Sequence, residues 1–195
     1  MPRTVDPAQR RSEVAAAARS VIARDGFDAT TVRRVAAEAG SSTTVVTHYF
    51  ADKEALLLAA VQDAYTALVA RMAACVDGGP GGLPTLRALL LEALPLDDVR
   101  AAEARVWLAF WSAAITRPTL REVQRESYRE WREFIAQVLA DAVRRDEVDP
   151  HLDLAAAAER LTCLMDGMLV QAALEPGRLS PERQIEMVDL ALARL

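Results

Sequence analysis

Two cysteines in 195 residues, Cys75 and Cys163, are too few and too far apart for a disulfide framework or a metal-ligand set. They read as reduced core thiols of a cytoplasmic protein. Histidine is as scarce: His48 and His151 lie about a hundred residues apart, and no His-Glu-x-x-His motif exists. A Gly-rich phosphate loop is missing, as is any nucleophile beside a plausible base. No catalytic residue, metal or cofactor is therefore expected, although a helical enzyme or a non-catalytic adaptor remains the alternative class. Glycine and proline together number only 17, which excludes fibrous and disordered classes. No uninterrupted apolar run approaches the ~18–20 residues of a membrane span, and MPRTVDPAQRRSEV has no apolar signal region. The expectation is a cytoplasmic protein with no membrane partner.

Positive charge is in short supply too. The formal net charge is −5, which excludes a surface coated for non-specific nucleic-acid binding. The balance is uneven, however. Residues 1–53 hold eight Arg/Lys against six Asp/Glu, a net of +2, so the remainder carries −7. A mildly basic head on an acidic body suits a site-specific binder with a separate second domain.

What the chain does have is apolar residues, 52 % of the total, arranged at helical spacing. In TVRRVAAEAGSSTTVVTHYFADK (residues 31–53), Val32, Val35, Ala36 and Ala39 form one stripe that Gly40 ends. After Ser41-Ser42 a second short helix places Val45, Val46, Tyr49 and Phe50 on its own apolar side. Two short helices, a Gly-containing turn and a small residue, Ala36, at the crossing make a helix-turn-helix pattern. Thr43, Thr44, Thr47 and His48 fall on the outer side, short polar groups suited to a major groove.

The same residues resemble the DNA-binding unit of the TetR family of bacterial transcriptional regulators. The resemblance is carried by Thr31, Val35-Ala36, Ala39-Gly40, Ser42, His48-Tyr49-Phe50 and Asp52-Lys53-Glu54. Ser41, Thr43, Thr44 and Thr47 depart from the commonest family pattern, all on the reading surface. A second resemblance, of residues 105–111 and of Asp166-Gly167, is to the C-terminal domain of BetI-like choline/betaine regulators.

Around this unit an all-α chain is expected: a three-helix DNA-binding head, residues 1–53, and a six-helix ligand-binding and dimerisation body, residues 54–195. Asp6-Pro7 opens a first helix with stripe Val14, Ala17, Ala18, Val21 and Ile22, closed at Asp25-Gly26. Asp52 caps a long linking helix to about Val76, and Asp77–Gly82 must be a loop. Further helices span about Pro84–Leu94, Asp97–Thr116, a stretch from Pro118 past Val143, Leu152–Leu174 and a last one from Ser180-Pro181.

For DNA contact the candidates are Thr31, Arg33, Ser42, Thr43, Thr44, Thr47, His48, Tyr49 and Lys53. Arg33 can fork onto guanine, and threonines can meet thymine methyls or base edges. Thr31 can offer a phosphate its hydroxyl, or simply cap its helix. The resemblance implies backbone contacts for Tyr49 and Lys53. Arg10 and Arg11 either meet a phosphate or are solvated. One reading helix covers too few base pairs for genomic specificity, so a homodimer on a palindromic double-stranded DNA operator is expected. The last two helices are apolar on more than one face, and the resemblance implies that they pair with their copies. Leu161, Leu164, Met168, Gln171, Ile185, Val188 and Leu192 are the candidates there.

Between the middle helices, Trp107, Phe110, Trp111, Tyr128, Trp131 and Met165 form either an aromatic core or the lining of an effector pocket. The body's acidity favours a small cationic effector, an amine or quaternary ammonium. Glu103 is its candidate carboxylate, or else the partner of a neighbouring arginine.

Overall fold

The computed structural model describes residues 6–195; the polar arm before Asp6 lies outside them. Nine helices and no strand occur among the described residues. They are α1 (Pro7–Ala29), α2 (Val32–Glu38), α3 (Thr43–Tyr49), α4 (Lys53–Asp77), α5 (Gly82–Glu92), α6 (Asp98–Thr116), α7 (Pro118–Arg144), α8 (Leu154–Leu174) and α9 (Pro181–Leu192).

Local chemistry starts most of them. Asp6 accepts from the Ala8 N–H at 3.0 Å, with Pro7 next in line. Asp52 accepts from Ala55 at 2.8 Å, Asp97 from Arg100 at 2.8 Å and Asp153 from Ala156 at 3.0 Å. Each cap satisfies an N–H that the helix cannot. The Arg100 N–H holds the Asp97 carboxyl below its usual range. Gly26 breaks α1 at φ +78°, ψ 165°, and the chain then makes one more turn to Ala29.

α5 begins at Gly82, two residues before the expected Pro84. The reason is distant: Asp141 accepts the Gly82 N–H at 2.8 Å and Glu147 accepts that of Leu83 at 2.6 Å. Carboxylates from the last turn of α7 and from the turn that follows it thus do what no residue in the preceding glycine run can.

The chain divides into two compact units. The first comprises residues 1–67 and 102–120, the second residues 68–101 and 121–195. The boundary expected at residue 53 falls inside the first. Its core joins Val14, Ala18, Val21 and Ile22 of α1 to Val35, Val46, Leu56, Leu57 and Ala60, and also takes in Val106, Phe110 and Leu120. The second core gathers Leu86, Leu90, Ile135, Leu139, Leu161, Met165, Met168, Val188 and Leu192. α4 is long and apolar enough to cross a membrane by length and composition. Leu56, Leu57, Ala60, Val61 and Ala64 are nevertheless all buried, as befits a core helix.

Candidate nucleic-acid interface

Within the first unit, α2 and α3 are short and individually marginal, so their ends matter. Thr31 caps α2 by accepting the Arg34 N–H at 3.2 Å, and Ser42 caps α3 by accepting that of Val45 at 3.3 Å. Gly40 takes φ +57°, and the Ser41 N–H returns to the Ala36 carbonyl at 2.8 Å. This left-handed glycine after the helix lets the chain reverse without a Cβ clash. Val46 is fully buried, with Ala36, Val35 and Phe50 close behind. α3 is therefore pinned along one side.

Its other side is open. Thr43, Thr44, Thr47 and His48 are exposed, Tyr49 is half-buried, and the His48 and Tyr49 rings meet edge-on at 4.9 Å. Thr47 donates its hydroxyl to the Thr43 and Thr44 carbonyls at 3.1 and 3.2 Å. With its proton spent on the backbone, Thr47 presents a methyl and an acceptor, not a donor.

The two adjacent arginines of α2 separate cleanly. Arg34 donates to the Ala29 carbonyl at 3.1 Å and pairs with Asp25 at 3.4 Å. Arg33 is exposed and makes no ion pair among the described residues. At the start of α1, Arg10 pairs with Glu13 at 2.8 Å and reaches Ser41 at 3.4 Å, while Arg11 lies 5.2 Å from the Phe50 ring centre.

Ser42 and Thr31 use their side-chain oxygens as helix caps, and each keeps its hydroxyl proton and a second lone pair for DNA. Two assignments need correction. Lys53 does not extend into solvent: its ammonium donates to the Asp28 carbonyl at 2.9 Å and lies 4.4 Å from the Phe27 ring centre. Four interface candidates, Leu161, Met168, Val188 and Leu192, are buried inside the second unit's own core. Periodicity marks an apolar face but not what covers it. Leu164 and Ile185 are half-buried and Gln171 is exposed. Two apolar residues absent from that set stand out instead, Leu174 at 75 % and Leu190 at 48 % exposure.

The aromatic candidates fall in both units. Glu103, Trp107, Phe110 and Trp111 belong to the first, Tyr128, Trp131 and Met165 to the second. Phe110 and Met165 are core residues. Glu103 is buried and faces Arg19 of α1 at 3.6 Å, while Asp63 of α4 faces the same guanidinium at 2.7 Å. A carboxylate already matched to arginine is a poor anchor for an effector.

The second unit supplies a better one. Tyr128 donates its phenol to Asp166 Oδ2 at 2.7 Å, and Arg132 lies 5.7 Å from the Tyr128 ring centre. Burial pushes the Asp166 carboxyl up, with the Tyr128 hydrogen bond and Arg132 charge pulling the other way. Burial also drives the Tyr128 phenol up, aided by Asp166, so it remains a donor. Asp166 had one signal in the sequence: it is the only charged residue between Arg160 and Glu175 of an otherwise apolar helix.

A capped pair of short helices, crossed over small buried residues and showing a hydroxyl-rich outer face, defines a helix-turn-helix DNA-binding protein. Comparison with known proteins narrows the class. Residues 14–60 match the family model for bacterial regulatory proteins of the tetR family, and residues 84–195 that for the C-terminal region of BetI-type transcriptional repressors. The chain belongs to the TetR family of transcriptional regulators and carries a BetI-type C-terminal region.

Among curated relatives, the HTH-type transcriptional regulator BetI of Burkholderia mallei is 31 % identical over 186 residues, covering 92 % of this chain and 90 % of that one. BetI of Stenotrophomonas maltophilia is 30 % identical over 177 residues, covering 89 % and 86 %. Among solved structures, a Rhodococcus transcriptional regulator aligns with TM-score 0.82 at 30 % identity over 94 % of each chain. A Saccharomonospora viridis regulator, solved in complex with choline, has TM-score 0.85 at 23 % identity over 93 % of this chain and 94 % of its own; that likeness shows the fold alone.

Proposed function

We propose that this regulator represses transcription as a homodimer, reads a palindromic operator with α3, and leaves it when a small cationic effector binds. The observation that carries the reading is the division of α3 itself, with Val46 sealed beneath and Thr43, Thr44, Thr47 and His48 exposed above. Arg33 forks onto a guanine near one end of the half-site. Thr43 and Thr44 offer hydroxyls and methyls, and Thr47 accepts from an exocyclic amine or lies against a thymine methyl. Thr31, with its hydroxyl proton and its place at a helix N-terminus, meets a backbone phosphate, and Tyr49 positions in the same way. Such a module covers only part of a helical turn, so two copies about 34 Å apart are needed.

Partner contact falls to the outward residues of α8 and α9, Leu164, Gln171, Leu174, Ile185 and Leu190. Exposed leucines beside half-buried ones are the kind of patch a second copy covers. Asp166, in place of Glu103, is the effector's counter-charge. An ammonium would take the place of Arg132 over the Tyr128 ring and face the carboxylate. Choline, the ligand of the Saccharomonospora viridis regulator, is the first compound to try. The protein needs no membrane for any of this and acts where the DNA is, in the cytoplasm.

Selection from a random-sequence duplex pool tests the reading. The expected product is a palindrome whose half-sites are spaced by about 10 base pairs. Choline should lower its occupancy, and Asp166→Asn should remove that response while leaving DNA binding intact. A pool that yields no enriched sequence overturns the DNA assignment. Enrichment with no response to choline or other amines overturns only the effector.

A further inference from the structure

Arg117, the single residue between α6 and α7, places its guanidinium 5.4 Å from the centre of the Phe27 ring. The Lys53 ammonium lies 4.4 Å from the centre of the same ring and donates to Asp28, the next residue, at 2.9 Å. Glu54, beside Lys53, ties the turn down further: Thr119 donates its hydroxyl to Glu54 at 2.8 Å, and Arg117 Nε is 3.8 Å from the same carboxylate. Phe27 follows the break at Gly26 and stands four residues before Thr31, the cap of α2. One aromatic ring at the edge of the reading pair thus holds two cations, one from the start of α4 and one from the turn after α6. All of these residues belong to the first unit.

The chemistry of the two cations differs. A ring face attracts positive charge through its quadrupole, most strongly when water is partly excluded. Two like charges on one ring repel, and Glu54 offsets that repulsion on the Arg117 side. Lysine is a point charge on a flexible four-carbon stem. Left loose, it loses rotamer freedom on meeting a phosphate; held at a ring, it has already lost part of it.

We infer that Arg117 is a positioning residue for DNA binding: by fixing Phe27 and Glu54 it holds the Lys53 ammonium at the edge of the head, where the N–H groups not donated to Asp28 meet a phosphate without leaving the ring. The inference rests on the proposed reading of the head as the DNA-binding surface. It gives a residue of the BetI-type C-terminal region a part in DNA binding without contact to DNA.

Two measurements test it. Lys53 is the only lysine in the chain, so reductive methylation with 13C-formaldehyde gives one dimethyl-lysine NMR signal, distinct from the α-amine. In the wild-type protein the Phe27 ring current should displace it; Phe27→Leu should return it to the free position, and Arg117→Gln should move it part of the way. The second measurement is affinity for the duplex that the wild-type protein selects from a random pool, across a salt series. Arg117→Gln should bind roughly two- to fivefold more weakly per protomer, the loss of one exposed cation–π contact in each, or roughly four- to twenty-five-fold for the dimer, and Arg117→Lys should stay within about twofold. The slope of log affinity against log salt should not change in Arg117→Gln, but should fall by about two in Lys53→Gln, one for each protomer of the dimer. Once Lys53 is replaced, replacing Arg117 should add nothing.

An unmoved lysine signal in Arg117→Gln, additive losses in the double variant, or a salt slope reduced by Arg117→Gln itself each overturn the positioning role, the last by making Arg117 a direct phosphate contact. Wild-type affinity retained by Arg117→Gln sinks this inference while sparing the head as a DNA binder. A pool with no enriched duplex sinks both.

Discussion

Replacing Arg19 by methionine removes the guanidinium that joins α1 to α4 and α6. Its Nε lies 2.7 Å from Asp63 Oδ2 and its Nη1 3.6 Å from Glu103 Oε1, with side-chain exposures of 30 % for Arg19, 26 % for Asp63 and 6 % for Glu103. The short contact is an ion pair by distance only, because the Nε–H finds no aligned acceptor. In Arg19→Met, Asp63 keeps partial access to water, and its loss is that of a surface pair, about 0–1 kcal/mol. Glu103 has almost no such access. Arg19 is one of the groups that face Glu103; breaking a buried pair costs up to about 3–5 kcal/mol, and the 3.6 Å separation places Glu103 at the lower end. The sum is about 3 kcal/mol, or a drop in Tm of roughly 6–12 °C for a chain of this size. Urea denaturation at fixed protein concentration measures it, with an unchanged m value showing that only stability moved. Glu103→Gln added to Arg19→Met should recover about 1–2 kcal/mol, because a neutral amide costs less to bury than a carboxylate. An Arg19→Met variant within about 0.5 kcal/mol of wild type, the ordinary range of surface changes, would refute the reasoning.

Three other perturbations have definite outcomes. Arg33→Ala should weaken operator binding by ~1–3 kcal/mol per half-site and relax the preference at one base pair in each, read by competition with single-base variants; an equal loss on every sequence would make Arg33 a phosphate contact. Asp166 has its folded carboxyl raised by burial, so the folded state holds a proton that the unfolded state releases near pH 3.9. Stability contributed by this group is full below that pH and declines as pH rises through the raised folded value, and Asp166→Asn should flatten this decline in urea titrations at several pH values while abolishing any choline response. Gly82 takes φ +57°, and a Cβ there would strike the Glu147 carboxylate that accepts the Leu83 N–H. Gly82→Ala should therefore cost about 2 kcal/mol of backbone strain and lost capping, against a Gly177→Ala control with no measurable change by the same denaturation assay.

The parts legible in the sequence are those governed by near neighbours. Asp6, Asp52 and Ser180 could be read as caps because a cap and its N–H lie two or three residues apart. Ala36, Gly40 and Val46 could be placed because a helix-turn-helix compresses its geometry into about fifteen residues. Long-range partners were out of reach. The early start of α5 depends on carboxylates 59 and 64 residues away, Asp166 meets Tyr128 across 38, and Lys53 meets Asp28 across 25. Leu161 and Leu174 illustrate the same limit on one helix: both are leucines at apolar positions of α8, yet one is core and the other exposed. A helix with two apolar sides does not say which faces inward.

The first unit draws on two separate lengths of chain, with Val106, Phe110 and Leu120 sharing a core with Val14, Val35 and Leu56. Grafting this head onto another regulator is consequently not a matter of one splice. A chimera that carried residues 1–67 alone would leave a bare hydrophobic patch where α6 belongs, and transplanted specificity would arrive with a folding defect unless residues 102–120 travelled with it.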